Sequence, residues 1–333
     1  MTESTKRATM VDVAREAGVS FKTVSRVVNG VESVDPAMAA RVHAAIALLG
    51  FRRNSVAANL RSGSNTATIG LVIGDVTNSF YSRMLAAVSE VAKERDTLVI
   101  SASAEEQPDV QRRIVLDLCQ RRVNGLLVVP SGNDHAYLAE EMKLGTPMVF
   151  IDRPPVGVSA DVFLIDNRHV ARDAADLVIG EGHTRIAVVL DDLGIFTMRE
   201  RLEGFEAGLA AAGIPLDPAF VTTAAHDPHS SARAVGAMLA LPDPPTAFLT
   251  GNNRATIGVI EELHRRNRQA RIVGFDDFEM SHLVPRRSTI VDYDITALAR
   301  EAARQLFARI DGGGGAFARR YQPTRFVERG LTQ

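Results

Sequence analysis

From Ala67 onward, short apolar runs alternate with amphipathic stretches of helix length, and no other feature of this 333-residue chain narrows its fold as much. The runs are Ile69 to Ile73, Leu98 to Ser101, Leu126 to Val129, Met148 to Ile151, Ile186 to Leu190, Ala247 to Leu249 and Ile272 to Phe275. Continuous apolar runs of this length suit strands buried on both faces, as in a parallel sheet covered by helices on each side. Between them lie helix-length segments such as Phe80 to Glu94, Arg199 to Ala212, Ser230 to Leu241 and Ala255 to Arg266. The repeated βα pattern predicts an α/β fold with parallel sheets. The runs are too many for one compact sheet, and the extended Asp161 to Ile165 falls near the middle, so two similar lobes with a cleft between them are expected. Ligands of open α/β sheets sit beyond the carboxyl ends of the strands, which makes the residues just after each run the ones to examine.

The first 63 residues differ in kind. They contain no strand run and three short helical patterns. Thr9 can cap a first helix with Asp12 in its first turn, and Gly18 can end it in the left-handed conformation. Ser20 can cap a second helix that closes at Asn29 and Gly30. A third begins at Asp35 and Pro36 and stops at Gly50. Val13, Ala14, Ala17, Val19, Val24, Val27, Met38, Val42, Ile46 and Leu49 supply the apolar faces. This head carries nine Lys/Arg against five Asp/Glu, whereas the remainder carries 29 against 35, so a basic module of charge +4 precedes an acidic body of charge −6. Such an asymmetry fits a phosphate-facing module joined to a domain with another task.

Several classes are excluded or disfavoured. No apolar run approaches the ~18 residues of a membrane span. Met1 to Arg7 lacks the apolar core of a signal peptide, so a cytoplasmic protein is expected. Cys119 is the single cysteine and reads as a small apolar residue of the helix-like stretch Val110 to Arg121. Phosphate-loop, zinc-helix and nucleophile-elbow motifs are missing, so an enzyme is not expected, and no catalytic residue, cofactor or metal is expected either. Gly312 to Gly315 reads as a flexible loop.

Two short helices joined by a glycine turn, the second exposing Phe21, Lys22, Thr23 and Arg26, form the pattern that places a recognition helix in the major groove. The run Thr9-Met-Val-Asp-Val-Ala-Arg-Glu-Ala-Gly-Val-Ser-Phe-Lys-Thr-Val-Ser-Arg-Val-Val-Asn29 closely resembles the DNA-binding head of the lactose/galactose/purine repressor family, LacI/GalR. The resemblance continues through Ile151-Asp-Arg, Asp166-Asn, Gly182-His-Thr-Arg-Ile, Arg199-Glu-Arg-Leu-Glu-Gly-Phe, Gly251-Asn-Asn and Val273-Gly-Phe-Asp-Asp. It implies a helix-turn-helix head on a two-lobed body like the periplasmic binding proteins, acting as a transcriptional regulator on a palindromic double-stranded DNA operator. The implied division is a head of residues 1–50, a hinge of 51–63 and an effector domain of 64–333. Within the last, one lobe takes about 66–165 and 293–318, the other about 166–292 and 319–333.

By that resemblance Phe21 and Lys22 read bases and Arg26 follows one turn on, while Thr9, Ser20, Thr23, Ser25 and Asn29 suit the contacts that position the head. Lys22 can donate to guanine acceptors and Phe21 can touch a thymine methyl. Asn54, Ala57 and Leu60 match the family's hinge helix, where a leucine wedges into the minor groove. Arg53 replaces the usual proline and Ala58 the common arginine, and a plain linker helix is the alternative reading of this segment.

For the effector, Phe80 and Tyr81 fall after the first strand, Asp152 after the fourth, Arg199 at a helix start, Asn252 after the Phe248 strand and Asp276 after Phe275. Carboxylates with Arg and Asn suit sugar hydroxyls, which both donate and accept hydrogen bonds. Each has a plainer alternative: Asp276 and Asp277 as a helix cap, Asn252 as a turn, Arg199 paired with Glu203 on the surface. The expected effector is a sugar or sugar derivative that shifts the relation between lobes, and thereby DNA affinity. A homodimer without a heptad tail is expected from the operator's symmetry. The rival reading is a sugar-binding receptor-like protein with no operator role.

Overall fold

The computed structural model describes residues 8–28, 34–51 and 68–331, and the chain divides into two units, residues 1–66 and 67–333. Asn29 and the hinge positions Arg53, Asn54, Ala57, Ala58 and Leu60 lie outside the described residues.

The first unit contains α1 (Met10–Ala17), α2 (Phe21–Val28) and α3 (Pro36–Leu49). Local chemistry sets their ends. Thr9 and Asp12 form a reciprocal capping box, and Gly18 closes α1 at φ 62. The Ser20 hydroxyl accepts the Thr23 N–H at 3.1 Å, and the Asp35 carboxylate accepts the Met38 N–H at 3.0 Å ahead of Pro36. Gly50 ends α3 at φ 57. Val13, Ala14, Ala17, Val24, Val42 and Ala45 form the core, flanked by Val19, Val27, Ile46, Leu49 and Phe51. Met38, expected among the apolar contacts, is exposed instead. It lies in the first turn of α3, outside the packed face, and Ala45 joins the core that Met38 does not reach. The Arg41 guanidinium donates to the Gly18 carbonyl at 3.0 Å, fastening α3 to the turn between the first two helices.

The second unit holds two six-stranded sheets. Its strands are β1 (Thr68–Ile73), β2 (Leu98–Ser103), β3 (Leu126–Val128), β4 (Met148–Ile151), β5 (Asp161–Leu164), β6 (Ile186–Val189), β7 (Val221–Thr222), β8 (Ala247–Thr250), β9 (Arg271–Phe275), β10 (Ser288–Asp292), β11 (Arg319–Tyr321) and β12 (Arg325–Arg329). The helices are α4 (Ser79–Lys93), α5 (Pro108–Gln120), α6 (Leu138–Lys143), α7 (Asn167–Gly180), α8 (Phe196–Ala211), α9 (Pro228–Met238), α10 (Asn253–Arg265) and α11 (Ile295–Ile310). None of the described helices is long and apolar enough to cross a membrane.

One sheet runs β11-β5-β4-β3-β1-β2 and the other β12-β10-β9-β8-β6-β7. All pairings are parallel except β10 with β12. In each lobe the first strand has its successors on both sides, which opens a switch point above β1 and β3 and another above β6 and β8. Of the strands read as apolar runs, β4, β6 and β8 are fully buried, whereas β2 lies at the sheet edge with Leu98 and Ile100 exposed, contrary to expectation.

One boundary differs from expectation. Arg319–Tyr321 pairs with Val162–Leu164, so the first lobe extends through Tyr321 and the crossing to the second lobe falls at residues 322–324. All three residues of β11 are exposed, and backbone pairing alone makes them a strand. A buried clamp holds this edge: Asp161, fully buried, accepts Arg309 Nε at 2.8 Å and the Ala318 N–H at 2.9 Å. Burial pushes the Asp161 carboxyl up, but these hydrogen bonds outweigh it and hold its pKa below the usual range.

Candidate effector cleft and DNA-contacting helix

Within the second unit, the loops after β1, β2, β4, β6, β8 and β9 converge on a cavity of about 730 Å³, within the range of small-molecule sites. Phe80 and Tyr81 begin α4, where the Asn78 side chain accepts the Phe80 N–H. Both rings are nearly buried and meet edge to face at 5.1 Å. Asp152 follows β4 at φ 71 and Asp276 follows β9 at φ 65, two non-glycine residues in the left-handed region on the walls of one cavity. Such backbone costs about 1 to 3 kcal/mol per residue and collects at binding sites. Asn252 lines the cavity while its carboxamide oxygen accepts the Ala255 N–H at 2.8 Å, so the helix-cap reading and the cleft reading both apply to it. Asp276 does not cap. Its carboxylate accepts the Tyr293 hydroxyl at 3.2 Å and Arg201 Nη1 at 3.3 Å, whereas Asp277 accepts the Phe278 N–H.

Arg199, expected in the cleft, is turned away from it. Its Nη1 donates to the Leu193 carbonyl at 3.0 Å, and it is absent from the cavity lining. Arg201, two residues on, is the arginine that α8 turns into the cleft: 2 % exposed, its Nε on Asn167 Oδ1 at 2.8 Å, its Nη1 on the Gly251 carbonyl and Asp276. Its guanidinium also lies 4.0 Å from the Phe275 ring centroid. A helix turns about 100° per residue, so two positions separate opposite faces, and only the packing of α8 decides which arginine points inward. Sequence reasoning also missed Glu106, Asp191, Asp192, His226 and Arg254 on the lining. All of them fall within four residues after a strand, the one signal that marks them.

Seven carboxylates face this cavity, Asp75, Glu105, Glu106, Asp152, Asp191, Asp192 and Asp276, against Arg153, Arg201, Arg254 and His226. Carboxylates thus outnumber cationic groups on its lining. Burial raises the Asp152 pKa, opposed by Arg153 and Arg201. Glu106 behaves oppositely: burial pushes its pKa up, but the Arg153 charge and hydrogen bonds hold it below the usual carboxylate range. Contacts between the lobes tie the cleft walls together. The Asn78 and Asn253 carboxamides exchange hydrogen bonds at 2.9 and 3.3 Å, and Arg254 pairs with Asp75 at 2.7 Å.

In the first unit, α2 turns Val24 into the core and leaves Phe21, Lys22 and Arg26 at the surface, with Thr23 and Ser25 half-buried. Phe21 is 41 % exposed, leaving an aromatic face available at the start of α2. The hydroxyls of Thr9 and Ser20 are engaged in helix caps at the starts of α1 and α2.

Residues 9–54 match the model of bacterial regulatory proteins of the lacI family, and residues 66–309 match that of periplasmic binding proteins and the sugar-binding domain of the LacI family. The chain belongs to the LacI family. This LacI-family regulator is 33% identical to the ribose operon repressor of Escherichia coli K12 over 85% of its own length and 87% of that protein's. The structure of the transcriptional regulator CelR with cellobiose resembles it with a TM-score of 0.69 at 28% identity, covering 98% of this chain and 100% of that one. The lac repressor dimer bound to operator and an anti-inducer superposes with a TM-score of 0.80 at 24% identity, over 97% and 98% of the two chains. The LacI-family chain is thus a DNA-binding transcriptional regulator with a sugar-binding type of effector domain, and not an enzyme.

Proposed function

We propose that this regulator binds a two-fold symmetric operator as a homodimer in the cytoplasm, and that a neutral or cationic polyhydroxylated metabolite, a sugar in the first instance, controls it from the cleft. The observation that carries the effector class is the excess of carboxylates on the cavity wall. Carboxylates accept hydrogen bonds from hydroxyl groups and repel a phosphate. Phe80 and Tyr81 offer an aromatic wall, and Asp152, Arg201, Asn252 and Asp276 the polar contacts. A thermal-shift panel of neutral sugars, amino sugars and sugar phosphates tests this, since a true ligand raises the melting temperature by mass action. Stabilisation by neutral or amino sugars is expected; stabilisation by sugar phosphates alone would refute the assignment.

Because the effector contacts Arg201 and Asp276 on one lobe and Asp152, Phe80 and Tyr81 on the other, it biases the balance between closed and open arrangements. The Asn78–Asn253 and Asp75–Arg254 contacts are the ones such a change makes or breaks.

On DNA, α2 supplies the base contacts. Lys22→Ala and Arg26→Ala are each expected to weaken operator binding by about 1 to 3 kcal/mol if they read bases. A residue that meets only phosphate instead lowers the salt slope by about 0.9. Fluorescence anisotropy across a salt series separates the two outcomes. Unchanged affinity in both variants would remove α2 from the interface.

A dimer follows from one head per half-site. The edge strand β2 supports a pairing surface on the first lobe, with Leu98 and Ile100 72 % and 42 % exposed. An apolar, unpaired edge of this kind needs a partner. Ile100→Asp is expected to yield a monomer by light scattering and to weaken operator binding by about 100-fold or more, through loss of the second head. A dimer of parental strength in this variant would move the interface elsewhere.

A further inference from the structure

Arg153 lines the cleft, yet every one of its hydrogen-bond donors is taken. Nε donates to Asp152 at 3.2 Å, Nη1 to Glu106 Oε2 at 2.5 Å and the Pro130 carbonyl at 3.0 Å, and Nη2 to Glu106 Oε1 at 2.9 Å and the Tyr81 hydroxyl at 3.2 Å. A guanidinium has five N–H groups, so these acceptors exhaust it. The Glu106 carboxylate occupies the two-pronged position in which an arginine grips a phosphate or carboxylate. Both side chains line the cavity, and with the Arg153 side chain 5 % exposed and that of Glu106 26 %, Glu106 presents the larger surface of the pair.

The surroundings hold that carboxylate in place. Glu105 and Glu106 are consecutive non-glycine residues in the left-handed region, at φ 52 and φ 56. They are the two central residues of a turn that the Gln107 N–H closes on the Ala104 carbonyl at 2.9 Å, and this turn delivers Glu106 to the start of α5. Gly74, at the end of β1, leaves the space that the carboxylate and the Tyr81 hydroxyl fill: a Cβ there would collide with both. A left-handed turn, a glycine niche and a tyrosine thus converge on one carboxylate.

We infer that Glu106 is a specificity-determining residue: an internal carboxylate that fills the Arg153 fork, excludes anionic ligands from the cleft and, when removed, leaves a site for a phosphate group. The inference deepens the proposed neutral or cationic effector class and rests on it for its biological sense. The chemistry of the fork can be tested independently.

The experiment uses the full-length protein with inorganic phosphate as probe, at constant ionic strength, read by thermal shift and calorimetry. Parental protein is expected to bind phosphate weakly or not at all. In Glu106→Ala, Arg153 keeps its charge but loses two acceptors, and phosphate is expected to bind at least about tenfold more tightly. Glu106→Gln, which keeps the shape and loses the charge, should fall between, and it decides the matter if the alanine variant does not fold. Adding Arg153→Met to Glu106→Ala should abolish the gain. Phosphate affinity equal to that of the parent in the folded variants, or a gain that survives loss of Arg153, overturns the inference. The neutral-sugar panel on the parent protein reports separately on the effector class: its failure beside a phosphate-binding Glu106→Ala would sink the proposed effector and leave the gate standing.

Discussion

Arg201→Met is expected to abolish the effector's thermal shift and to cost about 3 to 5 kcal/mol of stability, the range for removing one partner from a buried ion pair. The side chain is 2 % exposed and holds Asn167, the Gly251 carbonyl and Asp276, which belong to α7, the turn after β8 and the end of β9. Methionine fills most of the volume and satisfies none of the acceptors. The charge matters as well, because Arg201 is one of two guanidiniums that oppose the burial-driven rise of the Asp152 pKa. Losing it raises that pKa further. A carboxyl whose folded pKa exceeds its unfolded value, about 3.9, favours the folded state most when protonated. The deficit of the variant relative to the parent should therefore grow as pH rises from the parent's already raised folded pKa to the variant's higher one, and shrink below that window. Urea denaturation across pH reads this directly. Arg199→Ala is the matched control, since that guanidinium faces away from the cleft and its loss should leave effector binding unchanged. If Arg199→Ala abolished the shift and Arg201→Met did not, the cleft would belong to the other arginine.

Gly204→Ala should destabilise the second lobe by about 1 to 3 kcal/mol, the range for overpacking, although helix propensity alone predicts a gain of about 1 kcal/mol. Gly204 lies mid-helix in α8, where it packs on α7. A Cβ there would collide with the Arg168 carbonyl and lie 2.7 Å from the Ala171 Cβ. One turn on, a Cβ at Gly208 would sit 2.8 Å from the Ala175 Cβ. These two glycines let the helix backbones approach, and the same approach brings Asn167 within reach of Arg201. Gly204→Ala should therefore weaken effector binding as well as stability. Gly180, at the exposed end of α7, is the opposite case, because a Cβ added there would meet nothing within 4 Å. Gly180→Ala should be neutral or stabilising by up to about 1 kcal/mol. Chemical denaturation of both variants gives the two signs, and a stabilised Gly204→Ala would refute the close packing.

Much of the architecture is legible in the order of residues because its signals are local. Thr9, Ser20 and Asp35 cap helices through hydrogen bonds to N–H groups within three residues, and Gly18 and Gly50 end them through their own φ angles. Apolar runs such as Met148–Ile151 declare a strand buried on both faces, and their repetition implies parallel sheets with a cleft at the strand ends. That Asp152, Asn252 and Asp276 line one cavity follows from their places after strands, together with the family motif.

Other features depend on distances that no local pattern encodes. Arg199 and Arg201 carry the same side chain in the same helix, and only the seating of α8 on α7 through Gly204 turns one inward. The three exposed residues of β11 have no apolar signature and become a strand because a neighbour pairs with their backbone. Glu106 meets Arg153 across 47 positions of sequence, in a niche left by a glycine on a third segment. Capping and periodicity act over a few residues, whereas side-chain direction and charge pairing in the cleft are settled when separate segments compete for the same space.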